Sequence, residues 1–395
     1  MRPGPKRRRP HRGETRMSSV WIVGAGMTKF GKHVDQSVVD LGAEAVLAAI
    51  ADAGIDPRRI EAAYCGHVFQ GMVAGQRVLA QTGLAGIPLT NVEDACSSGA
   101  VAVREAALSI RAGEHDVVLA FGMEHLTARF RGALTPAEDD LETAVGLTMP
   151  AIYAMRARAH MQEFGTTRRQ LALISVKNKR NASLNPFAQF QTTVTVDEVI
   201  NARPIADPLC LYDCSPVSDG AAAVILVSDR ARRTITRTAL RLAATALRTG
   251  EVDRGLSTMA VEPITQRTAR AAYEQAGIGP EEVDLAEVHD CFSIAEVLRV
   301  EALGLFPIGD YPARVERGDA DIGGMLPVNP SGGLLGKGHP LGATGVAQMV
   351  ELVRQLRGEA GQRQVAGARV GLAHCRGGKA AGVEGAACTV NILAA

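Results

Sequence analysis

The sequence of 395 residues is poor in aromatic side chains and lacks any long apolar run. Phenylalanine, tryptophan and tyrosine together make up 4% of the chain. No stretch of about 18 consecutive apolar residues occurs, which excludes a membrane-spanning helix by length. Glycine and alanine are abundant instead, which favours closely packed α/β layers. The length predicts two or three domains with an ample core.

Net charge is nearly absent, and the small surplus is unevenly placed. The whole chain carries +1, but residues 1–16 contain seven Lys or Arg and one Glu, so the rest is negative. This distribution excludes a broad nucleic-acid surface on the folded body. Residues 1–17 also lack the apolar core of a secretory signal. We interpret them as a disordered basic leader, with Met17 as a candidate start and a nucleic-acid-binding arm as the alternative.

Cysteine is scarce as well. Seven cysteines, an odd number, are scattered over the chain. In a large protein without a secretory signal, this usage is typical of a reducing compartment and predicts a cytoplasmic protein.

Two segments match nucleotide-binding motifs only in part. The glycine-dense turn 329–345 (NPSGGLLGKGHPLGATG) runs into a helix-period segment, yet Lys337 is followed by Gly338 where a P-loop needs Ser or Thr. The early Gly24-Ala25-Gly26 lacks the third glycine of a dinucleotide fingerprint. The turn still offers free N–H groups at a positive helix end, and it holds His339 on rigid backbone.

The chain repeats itself. Residues 53–61 (AGIDPRRIE) resemble residues 276–284 (AGIGPEEVD), and each follows an alanine-rich helical segment. The segments CSSGA and HPLGA, which begin at Cys96 and His339, both lead into an amphipathic helix and then an apolar strand. We interpret this as a duplicated α/β unit whose equivalent helix starts face one another. A cysteine opposite a histidine is the arrangement of an activated thiolate.

Alternating strands and helices predict a mostly parallel sheet. We place the first half at 18–232, the second at 238–395, and an inserted loop subdomain at about 126–205. Methionine and tyrosine in the insertion either pack as ordinary core or line an acyl channel. Its basic residues either form a solvated face or meet a phosphate-bearing ligand such as coenzyme A. They are Arg156, Arg158, Arg168, Arg169, Lys177, Lys179 and Arg180.

Five side chains with catalytic potential lie at strand ends and helix starts, where α/β enzymes commonly have their active-site residues. Cys96 precedes a helix, so we expect the helix dipole to lower its pKa and the free N–H groups to form an oxyanion hole. His289 and Cys291 follow a strand in the motif HDCF, and His339 and Cys375 complete the set. Each residue alone is consistent with a structural role, but the set on a duplicated frame favours a catalytic site.

These motifs resemble those of the thiolase superfamily, in particular its sterol-carrier-protein-type branch. The resemblance rests on DACSSG around Cys96, HDCF from His289, GGLLGKGHPLGATG around His339 and CRGG from Cys375. It extends from Met17 to the C-terminus. It implies a five-layered α-β-α-β-α fold, built from two duplicated halves with an inserted loop subdomain.

The resemblance also implies roles for these residues. Cys96 would take the acyl group as a thioester, and His339 would deprotonate Cys96 and help to bind the thioester oxygen. His289 would order the water of this oxyanion hole. The backbone N–H groups of Cys96 and Gly377 would form a second hole.

A second cysteine would shuttle the α-proton of the attacking acyl-CoA, and two cysteines compete for this role. The HDCF branch implies Cys291, which can share a face with His289. Cys375 precedes two glycines suited to an oxyanion hole, and we expect Cys375 to be the main shuttle. The following Arg376 departs from conventional thiolases, which have an apolar residue there.

The leading interpretation is an acyl-CoA C-acyltransferase that condenses acyl groups or cleaves 3-oxoacyl-CoA by thiolysis. Its substrates would be coenzyme A thioesters, with no permanently bound cofactor or metal. One alternative is a retro-aldolase that acts on a β-hydroxyacyl-CoA with a small OB-fold, zinc-ribbon partner. The other is a non-catalytic lipid-binding or scaffold subunit. Cys96 and His339 argue against both.

A homodimer is implied by the resemblance and by the apolar sheet edge that a monomer would expose. We expect neither a nucleic acid nor a membrane as partner.

Overall fold

The computed structural model describes residues 19–130, 132, 141–251, 258–380 and 383–395. The predicted leader 1–17 therefore lies outside the described residues, as does part of the predicted insertion. Within the described ranges, no helix is long and apolar enough to cross a membrane.

The strands of the described chain alternate with helices over most of its length. The strands are β1 Val20–Met27, β2 Ala62–Gly66, β3 Leu89–Val92, β4 Val117–His125, β5 Pro204–Ala206, β6 Leu209–Cys210, β7 Asp219–Ser228, β8 Leu240–Arg248, β9 Leu285–Glu287, β10 Val370–Gly377 and β11 Ala387–Ala394. The helices are α1 Val38–Ala53, α2 Ala74–Thr82, α3 Ser98–Ala112, α4 Leu141–Ala144, α5 Met149–Phe164, α6 Arg168–Ser183, α7 Val196–Ile200, α8 Asp229–Arg232, α9 Pro263–Ala276, α10 Ser293–Ala302, α11 Tyr311–Glu316, α12 Gly333–Lys337 and α13 Leu341–Leu356.

Nine strands follow one another in the order β3-β2-β4-β7-β1-β8-β11-β10-β9. The prediction of a mostly parallel sheet is wrong, because five of the eight pairings are antiparallel. β7 returns between β4 and β1, and β11 returns between β10 and β8, each antiparallel to both neighbours. β11 follows β10 through a short connection, which favours antiparallel pairing.

The strand order displays the duplication. In the first half, β2 and β4 are parallel, and β7 lies antiparallel between β4 and β1. In the second half, β9 and β10 are parallel, and β11 lies antiparallel between β10 and β8. The two halves join where Trp21 and Ile22 of β1 pair with Arg241 and Leu240 of β8.

Helices pack on both sides of each half, which gives the five-layered α-β-α-β-α architecture. α1 lies on β1 and β7, and α9 lies on β8 and β11, as the two outer layers. α3 and α13 pack together in the central layer. The approach of these two helices is close, because a Cβ on Gly345 of α13 would lie 2.5 Å from the backbone nitrogen of Ala100. The central layer brings the N-terminal ends of α3 and α13 together.

The basic residues of the segment 126–205 do not form one solvated face. Arg156, Lys177 and Lys179 are buried. Lys177 donates to the Val328 carbonyl and pairs with Glu296 at 3.1 Å. Burial lowers the pKa of Lys179 to about 7. These three cations therefore belong to the interior of the protein.

Candidate active site

Cys96 lies in a tight turn between β3 and α3. The turn is closed by Ser98, whose hydroxyl donates to the Ala95 carbonyl at 2.6 Å and accepts from the Asp94 N–H at 2.9 Å. Ala95 has a φ of 48°, a left-handed conformation that costs a residue with a Cβ about 1 kcal/mol or more. This turn places the partly exposed Cys96 two residues before Ser98, the first residue of α3.

His339 lies at the equivalent start of α13, and its hydrogen bonds fix its tautomer. The Thr344 hydroxyl donates its one proton to the Pro340 carbonyl at 2.8 Å. Thr344 therefore accepts at its other contact, 2.7 Å from Nδ1 of His339. Nδ1 carries the proton, and Nε2 keeps a free lone pair that can act as a base.

The structure brings Cys96, His289 and His339 together. Their sulfur and ring nitrogen atoms lie within 4.8 Å of one another. The two imidazole rings meet edge to face with centroids 5.0 Å apart. The spacing alone would also suit a metal ion, but the helix start and the free base at His339 match a thiol nucleophile with its general base.

Cys375 lies beside these residues, on β10. Its sulfur donates to the Cys96 carbonyl at 3.1 Å and lies 3.3 Å from Nδ1 of His289. Since the thiol has one proton, the sulfur accepts from His289, whose Nε2 is then unprotonated. An unprotonated Nε2 can accept a hydrogen bond from a water, as the predicted role of His289 requires.

Cys291 is the fifth predicted residue, and it lies close to Cys96 and Cys375. Charge on Cys291 raises the pKa of both of these thiols. The Tyr153 hydroxyl, Arg299 and Arg376 lie near enough to the Cys291 thiol to favour its thiolate. Burial is the larger effect and raises the pKa of Cys291.

The expected lowering of the Cys96 pKa is wrong. Burial raises the pKa of the Cys96 thiol to about 12 and outweighs the backbone N–H of Gly378, which favours the thiolate. Burial also lowers the pKa of His339 to about 3. The resting pair is therefore a neutral thiol beside a neutral imidazole. The helix dipole does not outweigh desolvation, because its effect is at most about 2 kcal/mol.

Gly377 ends β10 against the Cys96 turn. A Cβ at this position would lie 2.0 Å from the Asp94 carbonyl oxygen, so only glycine permits the approach. The next residue, Gly378, also lies beside this turn, because a Cβ on it would be 3.3 Å from the Ala95 side chain. Both glycines of the CRGG motif therefore lie against the turn that holds Cys96.

Two buried acids that the sequence analysis did not name as candidate residues hold the loops of the site. Glu124, at the end of β4, accepts from the N–H groups of Val68, Phe69 and Gly342 at 2.9–3.1 Å. It thereby ties the α13 start to the first half. A charged residue at the end of the apolar run DVVLAFGME was the available signal.

The second acid is Asp290 of the HDCF motif. It accepts from the N–H groups of Leu334 and Leu335 at 2.6 and 3.3 Å and from the Asn178 side chain at 2.7 Å. Asp290 thus fixes the start of α12, which precedes His339. Burial, followed by the charge of Glu296, raises the pKa of Asp290.

Comparison with known protein families matches both halves of the chain. The thiolase N-terminal domain profile matches residues 20–230, and the profile described as thiolase C-terminal domain-like matches residues 253–386. An acetyl-CoA acetyltransferase of Methanothermobacter thermautotrophicus is 45% identical over 92% of this chain and 97% of its own length. Sterol carrier protein 2 of Oryctolagus cuniculus is 39% identical over 90% of this chain and 69% of its own length.

A solved structure named the Ltp2-ChsH2(DUF35) aldolase is also similar. It superimposes with a TM-score of 0.83 at 27% identity and covers 95% of this chain and 98% of the compared chain. Both halves and the intervening segment are thus matched by sequence and by structure. This chain belongs to the thiolase family.

Proposed function

We propose that this protein is an acyl-CoA C-acyltransferase that forms or cleaves 3-oxoacyl-CoA through a thioester on Cys96. The observation that carries the proposal is the pairing of Cys96 with the unprotonated Nε2 of His339 at two facing helix starts. The similarity to an acetyl-CoA acetyltransferase over almost the whole chain supports the same activity. Coenzyme A thioesters would be the substrates, and the chemistry needs no bound cofactor.

Acylation would use the neutral pair. Nε2 of His339 takes the proton of Cys96 as the sulfur attacks the thioester carbon, and the carbon–sulfur bond to coenzyme A breaks. Negative charge on the thioester oxygen is stabilised by N–H groups at the start of α3 and by the glycine amides that follow Cys375. The departing coenzyme A thiolate takes a proton from a second cysteine, which leaves that cysteine as a thiolate.

Condensation would then use this thiolate as the base. It takes the α-proton of a second acyl-CoA, and the resulting carbon nucleophile attacks the Cys96 thioester. The Cys96 thiolate leaves and recovers its proton from His339. A water held by Nε2 of His289 would stabilise the enolate oxygen during this step.

We assign the role of the second, proton-transferring cysteine to Cys291. The sequence alone favours Cys375 for this role. Cys375 already donates its proton to the Cys96 carbonyl, and burial raises its pKa well above the usual range. Cys291 has the Tyr153 hydroxyl and two guanidinium groups as neighbours that favour its thiolate. Exchange of acyl-CoA α-protons with deuterated water, measured by NMR, should be lost in Cys291→Ala and persist in Cys375→Ala. The reverse pattern would return the role to Cys375.

The test of the activity is mass spectrometry of the intact protein after incubation with a panel of acyl-CoAs. An added acyl group that maps to Cys96 and is released by a second acyl-CoA as a 3-oxoacyl-CoA is the expected result. A protein that stays unmodified with every acyl-CoA of the panel would contradict the proposal.

A retro-aldolase acting on a β-hydroxyacyl-CoA is the second candidate. The similarity to the aldolase named with ChsH2(DUF35) favours it, and a small OB-fold, zinc-ribbon protein would be the corresponding partner. The same incubation separates the two candidates, since a retro-aldolase cleaves its substrate without a Cys96 thioester.

We also propose a homodimer in a reducing compartment such as the cytoplasm. The strand β3 lies at the end of the strand order with its residues partly exposed, and the nearby Met72 is 89% exposed. All seven cysteines are unpaired. Light scattering at micromolar concentration should give the mass of two chains, and the mass of one chain would refute the dimer.

A further inference from the structure

A buried group of charges, which we call the arginine cluster, lies behind Cys291. Its members Arg156, Arg299 and Arg376 surround Glu262 at 3.8, 3.4 and 3.2 Å. All four side chains are at most 5% exposed. Burial opposes ionisation of Glu262, but the three arginines outweigh it and lower its pKa. Glu262 therefore remains an anion.

The arginine cluster carries more positive than negative charge. Three guanidinium groups share one carboxylate, and among the described residues no second acid lies within ion-pair distance of them. The adjacent His374 does not change the balance, since burial lowers its pKa to about 3. Surplus charge in a buried place is unfavourable unless an anion balances it.

Tyr153 connects the cluster to the active site. Its hydroxyl oxygen accepts from Nη2 of Arg299 at 2.5 Å and from Nη1 of Arg376 at 3.1 Å. Its ring stacks on Phe292 with centroids 4.6 Å apart, which fixes the position of the hydroxyl. With both lone pairs occupied, the oxygen interacts with any further neighbour only by donating its own proton. The stacked Phe292 directly follows Cys291, so the hydroxyl proton lies on the side of the ring where Cys291 is the nearby acceptor, close enough to favour its thiolate.

We propose that Tyr153, Arg299 and Arg376 are positioning residues that stabilise the thiolate of Cys291 by a hydrogen bond backed by two positive charges. This inference rests on the proposed function, in which Cys291 exchanges a proton with coenzyme A and with the substrate. Burial raises the pKa of Tyr153, so the hydroxyl keeps the proton that it donates. The thiolate is then the anion that offsets the surplus charge of the cluster.

The other groups around Cys291 do not supply this stabilisation. Asp290 directs its carboxylate to the α12 backbone and to Asn178, and its charge disfavours the thiolate. Cys96, Cys214 and Cys375 are near enough for a charge on Cys291 to raise their pKa values. Thiolate formation at Cys291 therefore depends on the side of the site that Tyr153 and the arginines occupy.

Tyr153→Phe is the direct test, because it keeps the stacked ring and removes only the hydroxyl. The readout is the alkylation rate of Cys291 by iodoacetamide in the ligand-free protein, followed by peptide mass spectrometry across pH. We expect the rate at neutral pH to fall by about 10- to 100-fold, the range for losing one hydrogen bond to a charged group. Alkylation of Cys210 should be unchanged.

Tyr273→Phe is the matched control, since its hydroxyl donates to the Leu303 carbonyl outside the site. Arg299→Lys keeps the positive charge and should lie between wild type and Tyr153→Phe. An unchanged Cys291 profile in Tyr153→Phe, or an equal slowing at Cys210, would overturn the inference. The readout needs no turnover, so failure of the proposed function would appear separately, as the absence of a thioester on wild-type Cys96.

In protein that becomes acylated, a second measurement distinguishes a positioning role of Tyr153 from a purely structural role. Tyr153→Phe should slow α-proton exchange and move its pH dependence to higher pH, while the rate of Cys96 acylation stays within about threefold of wild type. A parallel loss of both rates would indicate a merely structural tyrosine.

Discussion

Equivalent strand ends in the two halves of the molecule have opposite charges and different duties. β4 and β10 are the corresponding strands of the two halves, and Glu124 of β4 and Arg376 of β10 lie near their C-terminal ends. Glu124 accepts backbone N–H groups and ties the α13 start to the first half. Arg376 instead pairs with Glu262 and donates to Tyr153 behind the reacting cysteines. The end of β4 therefore holds the loops together, and the end of β10 lies beside the reacting cysteines.

The same division applies to two histidines. His67 follows β2 and His289 follows β9, the second strand of each half. His289 bonds to Cys375 inside the site, whereas the His67 backbone lies under the turn at Gly342. The first half thus contributes the nucleophile Cys96, and the second half contributes His289, Cys291, His339 and Cys375. The two halves therefore have similar folds, but the residues proposed to transfer protons all lie in the second half.

The largest expected effect comes from removing the nucleophile of the first half. Cys96→Ala should abolish acyl-enzyme formation, because no other cysteine has a free base opposite a helix start. Intact-protein mass spectrometry after incubation with acetyl-CoA measures this loss. Cys210→Ala, which changes a buried cysteine of β6, should acylate normally. Acylation of another residue in Cys96→Ala would refute the assignment.

The next effect tests the two histidines against each other. His289→Ala should slow condensation by about 10²–10³-fold, the range for losing a group that stabilises an oxyanion. His67→Ala should stay within about threefold of wild type, since its side chain makes none of the hydrogen bonds described for the site. Initial rates of 3-oxoacyl-CoA formation provide the comparison. Equal losses in both variants would contradict the division between the halves.

Sequence motifs predicted the family, the layered fold and the meeting of Cys96 with His339, because each depends on local patterns that repeat. They failed where long-range packing decides. The return of β7 and β11 between other strands made the sheet mostly antiparallel. Burial, which no motif displays, reversed the expected shift at Cys96. The preference between Cys291 and Cys375 depends on Tyr153, which reaches the site from the distant helix α5.

A smaller effect is expected at Glu124, the acid near the end of β4. Glu124→Gln replaces one acceptor oxygen by an amide N–H group that faces backbone donors, so the free energy of unfolding should fall by about 1–3 kcal/mol. Urea denaturation measures the change. Glu105→Gln, which alters a partly exposed ion pair with Arg104, should cost less than about 1 kcal/mol. A Glu124→Gln variant as stable as wild type would show that this position does not hold the frame.

The smallest effect concerns pH and the pair at the two helix starts. His339 is a neutral base above its pKa of about 3, and Cys96 is a thiol below its pKa of about 12. The reactive neutral pair is therefore the main form across the whole neutral range, and acylation should vary by less than about threefold between pH 6 and 9. Stopped-flow detection of released coenzyme A measures this single step.

The variant His339→Ala provides the contrast for the pH profile. Without the base, attack depends on the free thiolate of Cys96. As long as the pH is below the thiol pKa, each increase of one pH unit raises the thiolate fraction tenfold. Acylation at neutral pH should be slower by about 10²–10⁴-fold, and it should now increase steadily with pH. A steep profile in wild type, or a flat one in His339→Ala, would mean that Cys96 reacts as a preformed thiolate. The two helix starts would then act through charge and not through proton transfer.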